Sequence, residues 1–235
     1  MVDSTSLAEL LTSIDAPEVL VTWVREGGWE LAEAWERTPE PSHRLWLAGC
    51  AGAPIERAVE AAAAAVFAAM ERFSGLPEAL ASVVTLAVTG GTPAELLAAA
   101  GACEDFASGR GSYRDARSPG FAALCRASAL VAHAAEGLAS GEARREAVRL
   151  DRAREVGRVI GAGAQIGLPS PDGLARLDVL AAASDPAQGA FLFAIAAAAE
   201  AVREAGEALE EGGAEPAAVR ALLEPAVRAA LAESR

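Results

Sequence analysis

Apolar residues recur at helical spacing from one end of the chain to the other. The first predicted helical face carries four of them: Leu7, Leu10, Leu11 and Ile14. The last predicted helix, residues 216–232, carries five: Val219, Leu222, Leu223, Val227 and Leu231. Alanine is the commonest residue and β-branched residues are sparse, which favours helix throughout. The pattern predicts an all-α fold, a compact Ala/Gly-rich bundle of about ten to twelve antiparallel helices.

Two stretches are apolar on nearly every side of the predicted helix. Residues 61–70 and residues 190–199 are two apolar runs without a charged residue. In the predicted helix that contains 61–70, charged residues lie on both sides of the run. Each run is about half the length needed to cross a bilayer. We therefore interpret them as helices that pass through the protein interior, and we expect no membrane partner.

The central stretch, residues 92–140, has the clearest boundaries. Thr92 and Pro93 predict a helix start, Glu95 complements the helix dipole, and the helix should end near Ala107. A second helix is predicted over 120–138, with a break before a charged helix that starts at Gly141. Its few polar residues include Arg126, His133 and Glu136, which share one stripe that we expect to be buried.

The four tryptophans, Trp23, Trp29, Trp35 and Trp46, all lie in the first 46 residues. Nine acidic residues against two arginines occupy the first forty positions. We therefore expect one domain over 1–235, in which residues 1–46 form an acidic, tryptophan-rich cap on a helical body formed by 47–235. No linker in the sequence is long enough to demand a second domain.

Net charge and residue types exclude several classes of function. All 20 basic residues are arginines, so a Schiff-base lysine and a phosphate-loop lysine are both excluded. The net charge of −13 repels a phosphate backbone, so we expect no nucleic-acid partner, whereas a basic protein partner would suit the charge. The three cysteines are widely spaced in apolar helices, which is typical of reduced core thiols in a cytoplasmic protein.

Two histidine–cysteine pairs are the only arrangement that suggests a metal site. His43 with Cys50, and Cys125 with His133, could each share a helix face, and together they could surround a tetrahedral ion. The spacing matches no compact zinc motif, and isolated buried residues of these types are usually structural. We therefore predict no metal, no cofactor and no catalytic residue, and we keep an enzyme as an open alternative.

Two sets of residues are candidates for partner binding. One is the loop after the first central helix, which carries Arg110, Tyr113, Arg114 and Arg117, types that are favoured at protein contacts and can clamp an anion. The other is the aromatic set Trp23, Trp29 and Trp35. The alternative for the tryptophans is that they fill the gap between short helices and the body.

The segment from Glu95 through Cys103-Glu104-Asp105-Phe106-Ala107-Ser108-Gly109, and the alanine-rich helix that follows it, resemble α-helical immunity proteins of bacterial toxin systems. Trp46 to Ala51 resembles the tryptophan and cysteine near the start of that family's fold. The resemblance implies stoichiometric binding and neutralisation of a toxin, without turnover.

The sequence thus favours a non-catalytic protein-interaction module in the cytoplasm. Two alternatives come from other classes. One is a helical bundle that binds a small molecule or metal near Cys103, Cys125 and His133, and that could be an enzyme. The other is a subunit of a homo-oligomeric assembly.

Overall fold

The computed structural model describes residues 6–14, 16–107, 120–152 and 186–232. Within these ranges every regular element is an α-helix, and there are ten. In chain order they are α1 (Leu7–Ser13), α2 (Glu18–Gly27), α3 (Leu31–Arg37), α4 (His43–Ala51), α5 (Ile55–Met70), α6 (Glu78–Thr89), α7 (Pro93–Ala107), α8 (Phe121–Arg152), α9 (Pro186–Glu211) and α10 (Pro216–Ala232). The all-α prediction is confirmed.

Local sequence explains where several of these helices begin. The Thr92 hydroxyl accepts a hydrogen bond from the Glu95 amide at 3.3 Å, and the Glu95 carboxylate accepts one from the Thr92 amide at 2.9 Å. Ser6 and Glu9 form the same reciprocal arrangement at the start of α1. Each pair satisfies amides that the first helical turn leaves without a partner. The predicted start of α7 at Pro93 is therefore confirmed.

The bounds of α7 and α10 agree with the sequence prediction, but the predicted break before Gly141 is wrong. The backbone continues as one helix, Phe121–Arg152, through that glycine. A glycine inside a helix costs only about 1 kcal/mol relative to alanine, and the flanking alanines, glutamates and arginines are strong helix formers. A glycine without a following proline was too weak a signal for a helix end.

The body of the bundle is built around α5, which packs against α6, α8, α9 and α10. Alanine is the commonest buried residue of α5: Ala58, Ala61, Ala62, Ala63, Ala65 and Ala69 are each no more than 2% exposed. The helices α8 and α9 share the largest contact between any two helices in the described ranges. The prediction that residues 61–70 form an interior helix is confirmed.

One hydrophobic core joins all ten helices. It extends from Leu11 in α1, through Trp46 in α4 and Ala65 in α5, to Leu231 in α10. The prediction of a single domain covers the whole of 1–235, including residues outside the described ranges, and it stays a prediction. Among the helices that the structure describes, none combines the length and the apolar character that a membrane span requires.

Candidate functional site

The four tryptophans divide into two groups. Trp35 and Trp46 are buried, with 5% and 6% of their surface exposed. Trp23 and Trp29 are half-buried, and their ring centres lie 6.0 Å apart with a tilt of 38° between the planes. The Arg37 guanidinium lies 4.4 Å from the centre of the Trp29 ring. Since Trp35 is inside the protein, the aromatic surface suggested by the sequence is formed by Trp23 and Trp29.

A pair of glycines positions Trp29 next to Trp23. The helix α2 ends at Gly27, and Gly28 adopts a left-handed conformation with φ of 62° that reverses the chain. The Trp29 ring then packs directly on Gly27, where a Cβ atom would lie only 1.9 Å from the indole nitrogen. Any larger residue at position 27 would displace the ring, so this glycine allows the contact between the two tryptophans.

A groove of about 470 Å³ opens beside Trp29. Its apolar lining comes mainly from Leu7 and Leu10 of α1, Val24 of α2, and Trp29 itself. Arg25 and Glu30 contribute polar groups, and Cys50 of α4 also lies in the lining. Trp29 therefore lies next to Trp23 and Arg37 and also borders the open groove.

Val19 extends this apolar region along α2. It is 69% exposed and lies one helical turn before Trp23, so the two side chains share a face. We call Val19, Trp23, Trp29 and the adjoining groove the tryptophan surface. Several exposed acidic residues surround it or lie in the same helices: Glu9, Glu18, Glu26, Glu30 and Glu33. Exposed aliphatic and half-buried aromatic side chains, rimmed by charges, are the composition expected of a protein contact.

The buried Trp35 belongs to a polar cluster that fastens α3 and α4 to α10. Arg44 is only 2% exposed; its guanidinium donates to the Trp35 carbonyl oxygen, forms an ion pair with Glu224, and lies 5.1 Å from the Trp35 ring centre. Glu224 also binds Arg228 at 2.7 Å, and Arg228 binds Glu36 at 3.1 Å. The cluster links helices that are far apart in sequence, and we call it the Arg44 cluster.

The electrostatics of Glu224 follow from this arrangement. Burial by itself raises the pKa of a carboxyl group, but the hydrogen bonds and charges of Arg44 and Arg228 outweigh it, and the pKa of Glu224 falls below its ordinary value. The sequence alone did not single out Arg44. The signal that could have found it is its position, because Arg44 begins an otherwise apolar run that ends at Cys50.

The histidine–cysteine candidates do not form a metal site in the described ranges. No group of three or more histidine, cysteine, aspartate or glutamate side chains there is arranged to hold an ion. His43 is 8% exposed, its Nδ1 lies 3.4 Å from the Thr38 hydroxyl, and burial lowers its pKa to about 4. Cys50 shares its helix and is also buried.

Cys103 and Cys125 are free thiols with no exposed surface. Burial, followed by the charge of Glu104, raises the pKa of Cys103 to about 12. Burial, followed by the effect of Cys103 and against that of Arg126, raises the pKa of Cys125 to about 12 as well. Both thiols therefore stay protonated near neutral pH, which makes them poor nucleophiles.

The polar stripe of α8 lies at the edge of the bundle and is only partly covered, so the expectation of a buried stripe is wrong. The Arg126 side chain is 42% exposed and binds Glu204 of α9 at 2.8 Å. His133 is half-buried and binds Glu104 of α7 at 2.9 Å, with the exposed Phe193 ring at its edge. These residues connect α8 to α9 and to α7. Because they remain partly exposed to water, little desolvation energy is lost when the pairs form.

The other predicted contact residues, Arg110, Tyr113, Arg114 and Arg117, lie outside the described ranges. Comparison with known proteins adds no assignment: no protein-family model, curated protein or solved structure significantly matches the chain.

Proposed function

We propose that this protein binds another protein through the tryptophan surface and acts by that binding, without turnover. The observation that carries the proposal is the incomplete burial of Val19, Trp23 and Trp29 beside an open groove, in a protein whose other tryptophans are buried. Tryptophan is among the residues that contribute most to binding at protein interfaces. The proposal places the protein in the cytoplasm, where its three free, buried cysteines stay reduced.

An immunity-like role is one form of this proposal. The resemblance of the segment from Glu95 to Gly109 to immunity proteins supports it, as does the acidic character of the chain, since a tightly binding inhibitor needs a complementary surface. In that case the partner would be a toxin, and binding at the tryptophan surface would be enough to neutralise it.

The test is affinity capture with purified protein as bait, in extract of the cells that encode it. A bait carrying Val19→Gln and Trp23→Gln should lose the stoichiometric partner that the wild-type bait retains. The matched control carries Val88→Gln and Leu97→Gln, which alter exposed apolar residues on α6 and α7. Thermal unfolding of each bait verifies that the fold is kept. A partner retained equally by all three baits contradicts the proposal, and so does its loss with the control.

A second candidate is the binding of a small molecule, and the observation that favours it is the volume of the groove. About 470 Å³ is within the usual size of ligand pockets. The location differs from the one suggested by the sequence, because Cys103 and Cys125 are enclosed in the core and do not line this groove. Native mass spectrometry of the purified protein would show a retained ligand.

A homo-oligomer is a separate alternative. Light scattering would show whether the partner is a second copy of the chain.

A further inference from the structure

The tryptophan surface is apolar at its centre and acidic around it. Six exposed glutamates lie between the start of α1 and the end of α3: Glu9, Glu18, Glu26, Glu30, Glu33 and Glu36, the last of which is paired with Arg228. Two exposed arginines face them, and one of these, Arg37, already lies over the Trp29 ring. The acidic side chains therefore outnumber the basic ones at this end of the molecule. The local charge is negative, as is the net charge of −13 of the whole chain.

The relevant acidic groups adjoin the apolar features directly. Glu30 is part of the groove lining, and Glu26 lies three residues after Trp23 on the same face of α2. Neither is held by an ion pair with Arg25, the basic residue in the lining. An occupant that brings an apolar side chain into the groove thus meets the Glu30 carboxylate, and one that continues across α2 meets Glu26.

We propose that the occupant of the tryptophan surface is a cationic protein segment, which inserts one apolar side chain into the groove beside Trp29 and places arginine or lysine side chains against Glu26 and Glu30. This inference rests on the proposed function and specifies the chemistry of the partner. Complementary charge around an apolar centre speeds association and rejects anionic competitors, while the apolar contact supplies most of the affinity.

A protein segment suits the site better than a small cation, because the tryptophan surface extends beyond the groove. Val19 and Trp23 lie on the outer face of α2, and an occupant confined to the groove would leave both of them uncovered. A segment that crosses α2 covers the groove and this face together. An anionic membrane surface is disfavoured by the same carboxylates that attract a cationic segment.

The first experiment uses defined probes in place of the natural partner. Fluorescence anisotropy measures binding of three labelled peptides of about fourteen residues with helical spacing: leucine with lysine, leucine with glutamate, and serine with lysine. The full-length protein should bind the leucine–lysine peptide at least about tenfold more tightly than either of the others, and added salt should weaken that binding. Equal binding of the leucine–glutamate peptide, or no binding of any peptide, would overturn the inference.

The second experiment separates local recognition from general charge attraction. Glu26→Gln with Glu30→Gln should weaken binding of the leucine–lysine peptide by about fivefold, as expected for two partly solvated charges. The matched control, Glu210→Gln with Glu211→Gln, removes the same charge at the exposed end of α9 and should change the affinity less than twofold. Equal effects of the two pairs would show only attraction to an acidic protein and would overturn the inference.

Val19→Gln tests whether the occupant reaches beyond the groove. The substitution should weaken binding of the leucine–lysine peptide about threefold or more. An unchanged affinity would indicate an occupant confined to the groove and would contradict the inference. Failure here remains distinguishable from failure of the proposed function. If cellular capture depends on Val19 and Trp23 but is indifferent to Glu26 and Glu30, the function stands and the cationic class of partner is wrong.

Discussion

The first four helices and the alanine-rich body solve the same packing problem with different side chains. In α1 to α4, large rings fill the space between short helices, and a buried arginine, Arg44, joins them to α10. In α5, α8 and α9, alanine is the main buried residue, and each side chain fills little volume. Short helices have little surface to share, so they need large anchors, whereas long helices can add many small contacts.

The comparison also bears on our proposal that a partner binds at the first region. Alanine side chains carry no ring, so the packed faces of α5, α8 and α9 offer mainly small contacts, and Phe193 of α9 is an exposed aromatic ring among them. In the first region Trp23 and Trp29 are only half-buried, so each keeps ring surface that a partner can cover. Four main substitutions, each with its control, test the difference between the two regions, in order of decreasing expected effect.

The Arg44 cluster should be the most sensitive point of the first region. Arg44→Met removes a buried cation that Glu224 depends on, and we expect the free energy of unfolding to fall by about 4 kcal/mol. Urea unfolding measures it. The matched control is Arg228→Met in the same cluster, which should cost no more than about 1 kcal/mol because that side chain is 36% exposed.

Equal costs for the two arginine substitutions would show that burial does not decide the strength of this cluster. A further variant, Arg44→Met with Glu224→Met, should be more stable than Arg44→Met alone, because it removes the carboxylate that has lost a partner.

Gly28 in the first region and Gly120 in the body both adopt the left-handed conformation, so substituting each of them tests how closely the two regions are packed. At Gly120, with φ of 85°, a Cβ atom would lie 2.1 Å from the Ala208 carbonyl oxygen of α9, whereas at Gly28 nothing lies within 4 Å. Gly120→Ala should therefore cost about 3 kcal/mol, from backbone strain together with a clash. Gly28→Ala should cost only the strain, about 1 kcal/mol. Thermal or urea unfolding distinguishes them, and equal losses would contradict the difference in packing.

Overpacking should destabilise the alanine-rich body. Ala65 in α5 has no exposed surface, so Ala65→Leu adds three carbon atoms where there is no free volume, and we expect a loss of about 3 kcal/mol in urea unfolding. Ala98→Leu on the exposed side of α7 is the matched control and should change stability by less than about 0.5 kcal/mol. A neutral Ala65→Leu would mean that the helices around α5 can separate freely.

Lowering the pH should reduce the free energy of unfolding, because His43 in the first region is buried in its neutral form. Its pKa is about 4 in the folded protein and 6.5 in the unfolded chain, so the unfolded chain binds the proton first as the pH falls. This contribution to stability is complete above pH 6.5 and decreases toward pH 4; by pH 5 the expected loss is about 2 kcal/mol. His43→Gln should lack this part of the pH dependence, measured as the difference in unfolding free energy between pH 7 and pH 5. Parallel pH profiles of the two proteins would contradict it.

Much of the fold could be predicted because the relevant signals are local. The capping pair Thr92 and Glu95 acts within one helical turn, and the prolines that start α9 and α10 restrict the backbone at their own positions. Gly141 was misjudged because its effect depends on the balance of propensities over the whole helix, which a single residue does not reveal.

The candidate site was predictable only in part. The tryptophan cluster in the first 46 residues identified the region, but the sequence could not distinguish the buried Trp35 and Trp46 from the half-buried Trp23 and Trp29. That distinction depends on which neighbours cover each ring. For Trp35 one of those neighbours is Arg228, nearly two hundred positions away in the chain.

The sequence by itself determined the helical class, the bounds of α7 and α10, and the acidic character of the chain, because propensity, capping and charge are properties of neighbouring residues. Only the tertiary structure decided that Arg44 would be buried against Glu224 and that Trp29 would border a groove. Burial depends on contacts between segments distant in sequence, and the cost of removing a charge or a ring from water is fixed only when those segments meet.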